Sequence, residues 1–252
     1  MSADITVVMM TIDRTPQPNY LGKTLHRFSE AGVFYSPRLH SMHIIDSGTK
    51  KPLDYFDAHL PKHRSPKLYI HCGETRNTRE NVAKTMWIGS ATGTKWVLFC
   101  EDDIDVCASF LDSVGRWLDE HEREDRRVYA FGAAYDQIKT LHRMHQTVWD
   151  YPITAFYGTQ CIALRSEDAK SYSEYMTSHP LVRGENAPQA YDIAMQDWAR
   201  EQWPDYKFFS ASVPNFVQHL GSKSSLGSKF FTFPAWPGPE WTYAPPVRVL
   251  VP

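Results

Sequence analysis

The chain has 252 residues, 42% of them hydrophobic, and a formal charge of −2. That length and apolar fraction suit one α/β domain with a substantial core, and a pI of about 6.6 supplies no global basic field for nucleic acid or anionic membrane. No apolar run approaches the ~18 residues needed to cross a bilayer, and Met1-Ser-Ala-Asp-Ile lacks the basic and apolar regions of a signal peptide. A cytoplasmic location with no membrane partner is the expectation for a chain that starts there. Cys72, Cys100, Cys107 and Cys161 show no paired metal spacing and read as free thiols of a reducing compartment.

Ile5 to Ile12 is a near-continuous apolar run, the pattern of a buried parallel strand. It breaks at the proline-punctuated Asp13 to Pro18. Tyr20, Leu21, Leu25 and Phe28 then recur at helical spacing, with Gly32 as the stop signal. Met42 to Ile45 and Leu68 to His71 read as strands, Arg79 to Ile88 as a helix, and Trp96 to Cys100 as a fully buried strand. Val106 to Glu122 predicts a helix with Val106, Phe110, Val114, Trp117 and Leu118 on one face. Val128 to Phe131 and Gln160 to Leu164 are strand-like, and the His- and Arg-containing stretch Asp136 to Pro152 between them reads as a loop. Glu167 to Met176 and Tyr191 to Trp203 are helical, and Phe208 to Val213 is a late strand. The proline- and tryptophan-rich residues 230–252 read as an extended arm over the domain of residues 1–229 or onto a neighbouring subunit. Alternating strands and helices in the first half predict a mostly parallel sheet.

The stretch K-W-V-L-F-C-E-D-D-I-D (Lys95 to Asp105) runs a buried strand straight into Glu101, Asp102, Asp103 and Asp105. Carboxylates crowded at a strand exit repel one another and resist ionisation unless a positive charge sits between them. A hard divalent cation with oxygen ligands is one neutraliser; the alternative is a solvated strand end whose acids cap the next helix. Two other exits are also polar, Thr11-Ile-Asp13-Arg14 and Asp46-Ser47-Gly48. Ligands of open α/β sheets sit beyond the carboxyl ends of the strands, so adjacent parallel strands would gather all three exits on one rim and favour the metal. No G-x-G-x-x-G or G-x-x-x-x-G-K-[ST] is present, which argues against a dinucleotide fingerprint or a P-loop.

With the strand ending at Thr11, these features resemble glycosyltransferases of the GT-A fold: I-I-D-S-G (Ile44 to Gly48), R-x-N at Arg79 to Asn81, the E-D-D motif, and V-P-N-F-V-Q-H-L-G-S-K-S-S-L (Val213 to Leu226). The last segment, with A-Y-D-I-A-M-Q-D (Ala190 to Asp197), is especially similar to the catalytic domain of N-acetylglucosaminyltransferase IV. Against the Golgi enzymes the sequence is shorter, and the membrane anchor and stem of those enzymes are not expected of it. The resemblance implies a Rossmann-like GT-A domain that takes a nucleotide-sugar, a UDP-sugar by preference. It implies that Thr11 faces the nucleotide, that Asp46 contacts uracil or ribose, and that Arg79 and Asn81 are candidates at the donor. Asp103 would hold Mn²⁺ or Mg²⁺ directly, Glu101 and Asp102 would act through ribose or water, and His219 would be a further ligand. Asp192 matches the acid of the family's helical motif.

Each residue also has a plain structural role to set beside these. His219 is otherwise a satisfied structural histidine, and Asp46 an Asx turn before Gly48. Arg79 and Asn81 are otherwise simply a helix start. Asp105 reads as the cap of the next helix. Gly221 to Ser225 is either a linker or a loop whose Lys223 and backbone N–H groups meet the diphosphate, and Arg14 is a further candidate for base or phosphate. Asp192 and Asp197 lie about 140° apart on their helix, so both cannot face one site; Asp192 is preferred as the base that deprotonates the acceptor, with Glu185 third. His142, Arg143 and His145 are either a solvated loop or an acceptor surface. The expected function is a metal-dependent, inverting transfer of a sugar to an acceptor hydroxyl of a glycan, a small molecule, a protein or a hydroxylated DNA base. The competing expectations are a nucleotide-binding module without chemistry and a metal-dependent phosphoryl or nucleotidyl transferase.

Overall fold

A computed structural model describes residues 3–11, 20–46, 67–72, 78–156, 160–179, 191–220 and 233–244. Arg14, Ser47, Gly48, Glu185 and Lys223, each named above, lie outside the described residues. Among the described residues the central sheet has eight strands: β1 (Ile5–Thr11), β2 (Leu39–Asp46), β3 (Leu68–His71), β4 (Trp96–Glu101), β6 (Tyr129–Ala130), β7 (Val148–Pro152), β8 (Cys161–Arg165) and β9 (Phe208–Ser212). Their order is β3-β2-β1-β4-β8-β6-β9-β7. The first four run parallel, β8 is antiparallel to both its neighbours, β6 and β9 are parallel, and β7 closes the edge antiparallel. A separate ribbon pairs β5 (Ile104–Val106) with β10 (Val217–His219) in antiparallel register.

The period-two alternation of β1 explains the layering. Ile5, Val7 and Met9 enter one core cluster and Val8 enters another on the opposite face, so the strand is apolar on both sides. The first cluster receives Leu21, Leu25 and Phe28 of α1 (Tyr20–Glu30) and Phe110, Val114, Trp117 and Leu118 of α3 (Phe110–His121). The second receives Val82 and Met86 of α2 (Thr78–Ser90), Ala169, Tyr172 and Met176 of α5 (Ser166–Ser178), and Met195 and Trp198 of α6 (Tyr191–Gln202). The outcome is an α/β domain, its mostly parallel sheet covered by helices on both faces. Gly89 lets α2 approach closely: a Cβ there would stand 2.6 Å from Val97 Cγ1 and 2.9 Å from Val8 Cγ1.

Three sequence expectations change. Val106 is not helical but ends β5, and α3 starts at Phe110 after Ser109. Asp105 therefore caps no helix; its Oδ1 accepts from Arg27 Nε at 2.7 Å and from the Val106 N–H at 2.8 Å. The stretch Asp136 to Pro152 is not a loop, for it holds α4 (Gln137–Arg143) and β7. Its polar composition concealed a half-buried edge strand that gains Trp149 and Tyr151 for the core only by pairing with β9.

Residues 233–244 contain no helix or strand and pack on the domain, with Phe233 and Tyr243 buried. Trp241 and Tyr243 lie against Phe216, at 5.2 and 5.5 Å between ring centroids. Asn215 Nδ2 donates to Pro234 O at 2.7 Å, and Gln218 Oε1 accepts from the Phe233 N–H at 2.7 Å. These contacts secure residues 233 and 234 beside β10.

Candidate functional site

The parallel registers bring the polar exits together. Thr11 pairs with Asp46 across β1 and β2, and Met10 pairs with Glu101 across β1 and β4. Thr11, Asp46, Asp102 and Asp103 are all buried, so this rim is not a solvated strand end. Thr11 Oγ1 donates to Asp102 Oδ2 at 2.6 Å, tying one exit to the next. The turn after β4 is held from beneath by Thr24 of α1. Its hydroxyl donates to the carbonyls of Asp102 and Ile104, at 2.9 and 2.8 Å, and accepts from the Ile104 N–H at 3.1 Å.

The β5–β10 ribbon adds the component that comes from late in the chain. His219 pairs with Ile104, and the Leu220 N–H donates to Asp103 O at 2.7 Å. His219 Nε2 thereby stands 3.2 Å from Asp103 Oδ2. One ligand atom each from Glu101, Asp103 and His219 lie within 4.8 Å of one another. Octahedral ligands about 2.1 Å from a cation stand roughly 3.0 Å apart when adjacent and about 4.2 Å apart when opposite. Two carboxylates and an imidazole gathered this closely are of the kinds that ligate a divalent cation, and a small contraction of the group would bring all three into that range.

Electrostatics agree with the geometry. Burial pushes the Glu101 carboxyl up to about 7, and the neighbouring Asp103 and Asp102 charges push the same way. A hydrogen bond from the Tyr191 hydroxyl and the nearby His219 oppose that rise. A carboxyl pushed up by burial and then by like charges is in the environment that a bound cation relieves.

Arg79 and Asn81 stand buried at the start of α2, where Asn81 O accepts the Thr85 hydroxyl at 2.5 Å; burial lowers the Arg79 guanidinium from its ordinary value. Asp192 lies in the first turn of α6, its Oδ1 accepting from the Ile193 N–H at 2.9 Å. Asp197 bonds Arg200 instead, about 9 Å farther along the helix axis than Tyr191. His142, Arg143 and His145 are exposed at and just beyond the end of α4.

The structure thus brings Thr11 to Asp102 and gathers Glu101, Asp103 and His219, while Asp197 is engaged elsewhere. Two contributors escaped sequence reasoning. Thr24 is one more polar residue of an amphipathic helix until the fold sets it under the acidic turn. Tyr191 is visible inside A-Y-D-I-A-M-Q-D, but the acids of that motif carry its obvious chemistry.

No protein-family model matches the chain, and no curated protein does. Solved structures do match, among them the galactosyltransferase LgtC in complex with donor and acceptor sugar analogs. That likeness covers 80% of this chain and 70% of the other, with 12% identity and a TM-score of 0.44. A likeness so loose assigns neither a substrate nor a residue role.

Proposed function

We propose that the chain is a metal-dependent glycosyltransferase of the GT-A type, transferring a sugar from a nucleotide-sugar to an acceptor hydroxyl. The observation that carries this reading is the Glu101–Asp103–His219 ligand set at the rim where Thr11 and Asp46 also end. Beyond the carboxyl ends of parallel strands is where open α/β sheets bind their ligands. A bound Mn²⁺ or Mg²⁺ would supply positive charge to the departing diphosphate. Asp103 and His219 would hold it, with Glu101 completing the set.

Asp46 faces the nucleoside, and Thr11 orients Asp102 toward ribose. Arg79 and Asn81, together with Arg14 and Lys223, are candidates for the base and phosphates. Asp192 takes the proton of the acceptor hydroxyl as general base. It is favoured over Asp197 because its neighbour Tyr191 touches Glu101, whereas Asp197 is bonded to Arg200. The motif likeness to N-acetylglucosaminyltransferase IV favours a UDP-linked hexose or N-acetylhexosamine and an inverting course. The acceptor class extends to glycans, small molecules, proteins and a hydroxylated DNA base.

The same carboxylate and imidazole set would also serve phosphoryl or nucleotidyl transfer, so the released product is the deciding measurement. Nucleotide-sugars are screened for hydrolysis with Mn²⁺, and the products are separated by chromatography. Release of the intact nucleoside diphosphate is expected. Pyrophosphate or inorganic phosphate as the product, or no turnover with any donor, would overturn the assignment. Mass spectrometry of candidate acceptors then identifies the second substrate.

A further inference from the structure

Tyr191 opens α6 yet contacts β4, and its contacts among the described residues include the following. Its ring meets Phe99 edge-on, at 6.3 Å between centroids and 65° between planes. Its carbonyl accepts the Tyr172 hydroxyl of α5 at 2.6 Å. Its own hydroxyl donates to Glu101 Oε1. Phe99 and Glu101 are two residues apart on β4 and so lie on one face of the sheet, which lets a single tyrosine rest on the first and reach the second. Packing on Phe99 requires only the ring. The hydroxyl adds a directed bond to a carboxylate whose neighbours include Asp103 and His219.

We propose that Tyr191 is a positioning residue: its hydroxyl aims the Glu101 carboxylate at the cation site and ties the first turn of α6, with Asp192, to that site. This inference rests on the metal reading given under Proposed function. A hydrogen bond to an ionised carboxylate is strong and directional, and outer partners of metal ligands typically control affinity by 10- to 100-fold. The same bond links two elements far apart in sequence, the acidic strand exit and the helix that carries the proposed base.

The test is a double-mutant cycle read as Mn²⁺ affinity, using electron paramagnetic resonance of free Mn²⁺ with the full chain and no nucleotide. Tyr191→Phe keeps the ring on Phe99 and is expected to weaken Mn²⁺ binding about 10-fold or more. Glu101→Gln weakens it as well, and Tyr191→Phe on that background produces no further loss. Saturating Mn²⁺ restores turnover in Tyr191→Phe, which it would not do if the substitution had merely loosened α6. Unchanged affinity in Tyr191→Phe, or losses that simply add in the double variant, overturns the proposal. Measuring the parent first separates the two layers: a parent chain that binds no Mn²⁺ overturns the metal reading and the Tyr191 role with it.

Discussion

Thr24→Val isolates the support beneath the acidic turn. Thr24 is fully buried, and Val keeps its volume and β-branching, so no cavity accompanies the change. What disappears is the hydroxyl that accepts from the Ile104 N–H and donates to the carbonyls of Asp102 and Ile104. A hydroxyl has one proton to share between those carbonyls, so two buried backbone groups lose a full partner. At roughly 1–3 kcal/mol for each buried group left unsatisfied, the expected loss is about 3 kcal/mol. With a urea m-value of about 3 kcal/mol/M, the midpoint falls by about 1 M. Thr24→Ser keeps the hydroxyl and removes one methyl, for a loss of about 1 kcal/mol. Because the turn carries Asp103, Mn²⁺ affinity should fall in the Val variant and hold in the Ser variant. A Val variant as stable as the Ser variant, with unaltered Mn²⁺ binding, would refute the claim that Thr24 fixes this turn.

The other predictions concern the site and one half-buried histidine pair. Asp103→Ala should abolish donor hydrolysis and Mn²⁺ binding while circular dichroism stays native; full turnover of the parent in excess EDTA would end the metal-dependent mechanism. Asp192→Asn should lower kcat by about 10²–10⁴ at unchanged donor KM, the usual contribution of a general base, and Asp197→Asn should stay within a few-fold. The reverse order would move the base to Asp197. His43 is held at about 4 by burial first, then by His71 and His40, and its Nδ1 lies 2.9 Å from His71 Nε2. The native state therefore binds fewer protons there than the unfolded chain. The stability contributed is complete above about 6.5 and is lost as pH falls toward 4. Urea midpoints at pH 7, 5.5 and 4.5 should fall more steeply for the parent than for His43→Gln, and parallel slopes would count against this origin.

Much of the site is legible in the amino-acid sequence. The apolar run into Glu101, Asp102 and Asp103 declares a buried strand ending in charge, and by itself leaves a bound cation and a solvated, helix-capping end equally open; the burial of Asp102 and Asp103 removes the solvated end. Thr11 and Asp46 stand out for the same reason, each ending an apolar strand. Legibility stops where the partner is remote in sequence. Asp105 looks like a cap because a helical pattern follows it, yet the three-residue β5 takes it first and pairs with β10. So short a strand has no periodicity to detect; its pairing partner creates it. The edge strand β7 is hidden similarly, as a polar stretch that becomes a strand only against β9.

Local chemistry thus fixed the types of the longer, strongly periodic elements and the identity of the acids, because periodicity and like-charge repulsion act within a few residues. The rim itself is a tertiary product. Parallel pairing of β2, β1 and β4 aligns Asp46, Thr11 and Glu101, and the β5–β10 ribbon carries His219 to 3.2 Å from Asp103. The order of strands in the sheet, not their sequences one by one, sets which exits become neighbours, and so decides that scattered side chains form one site.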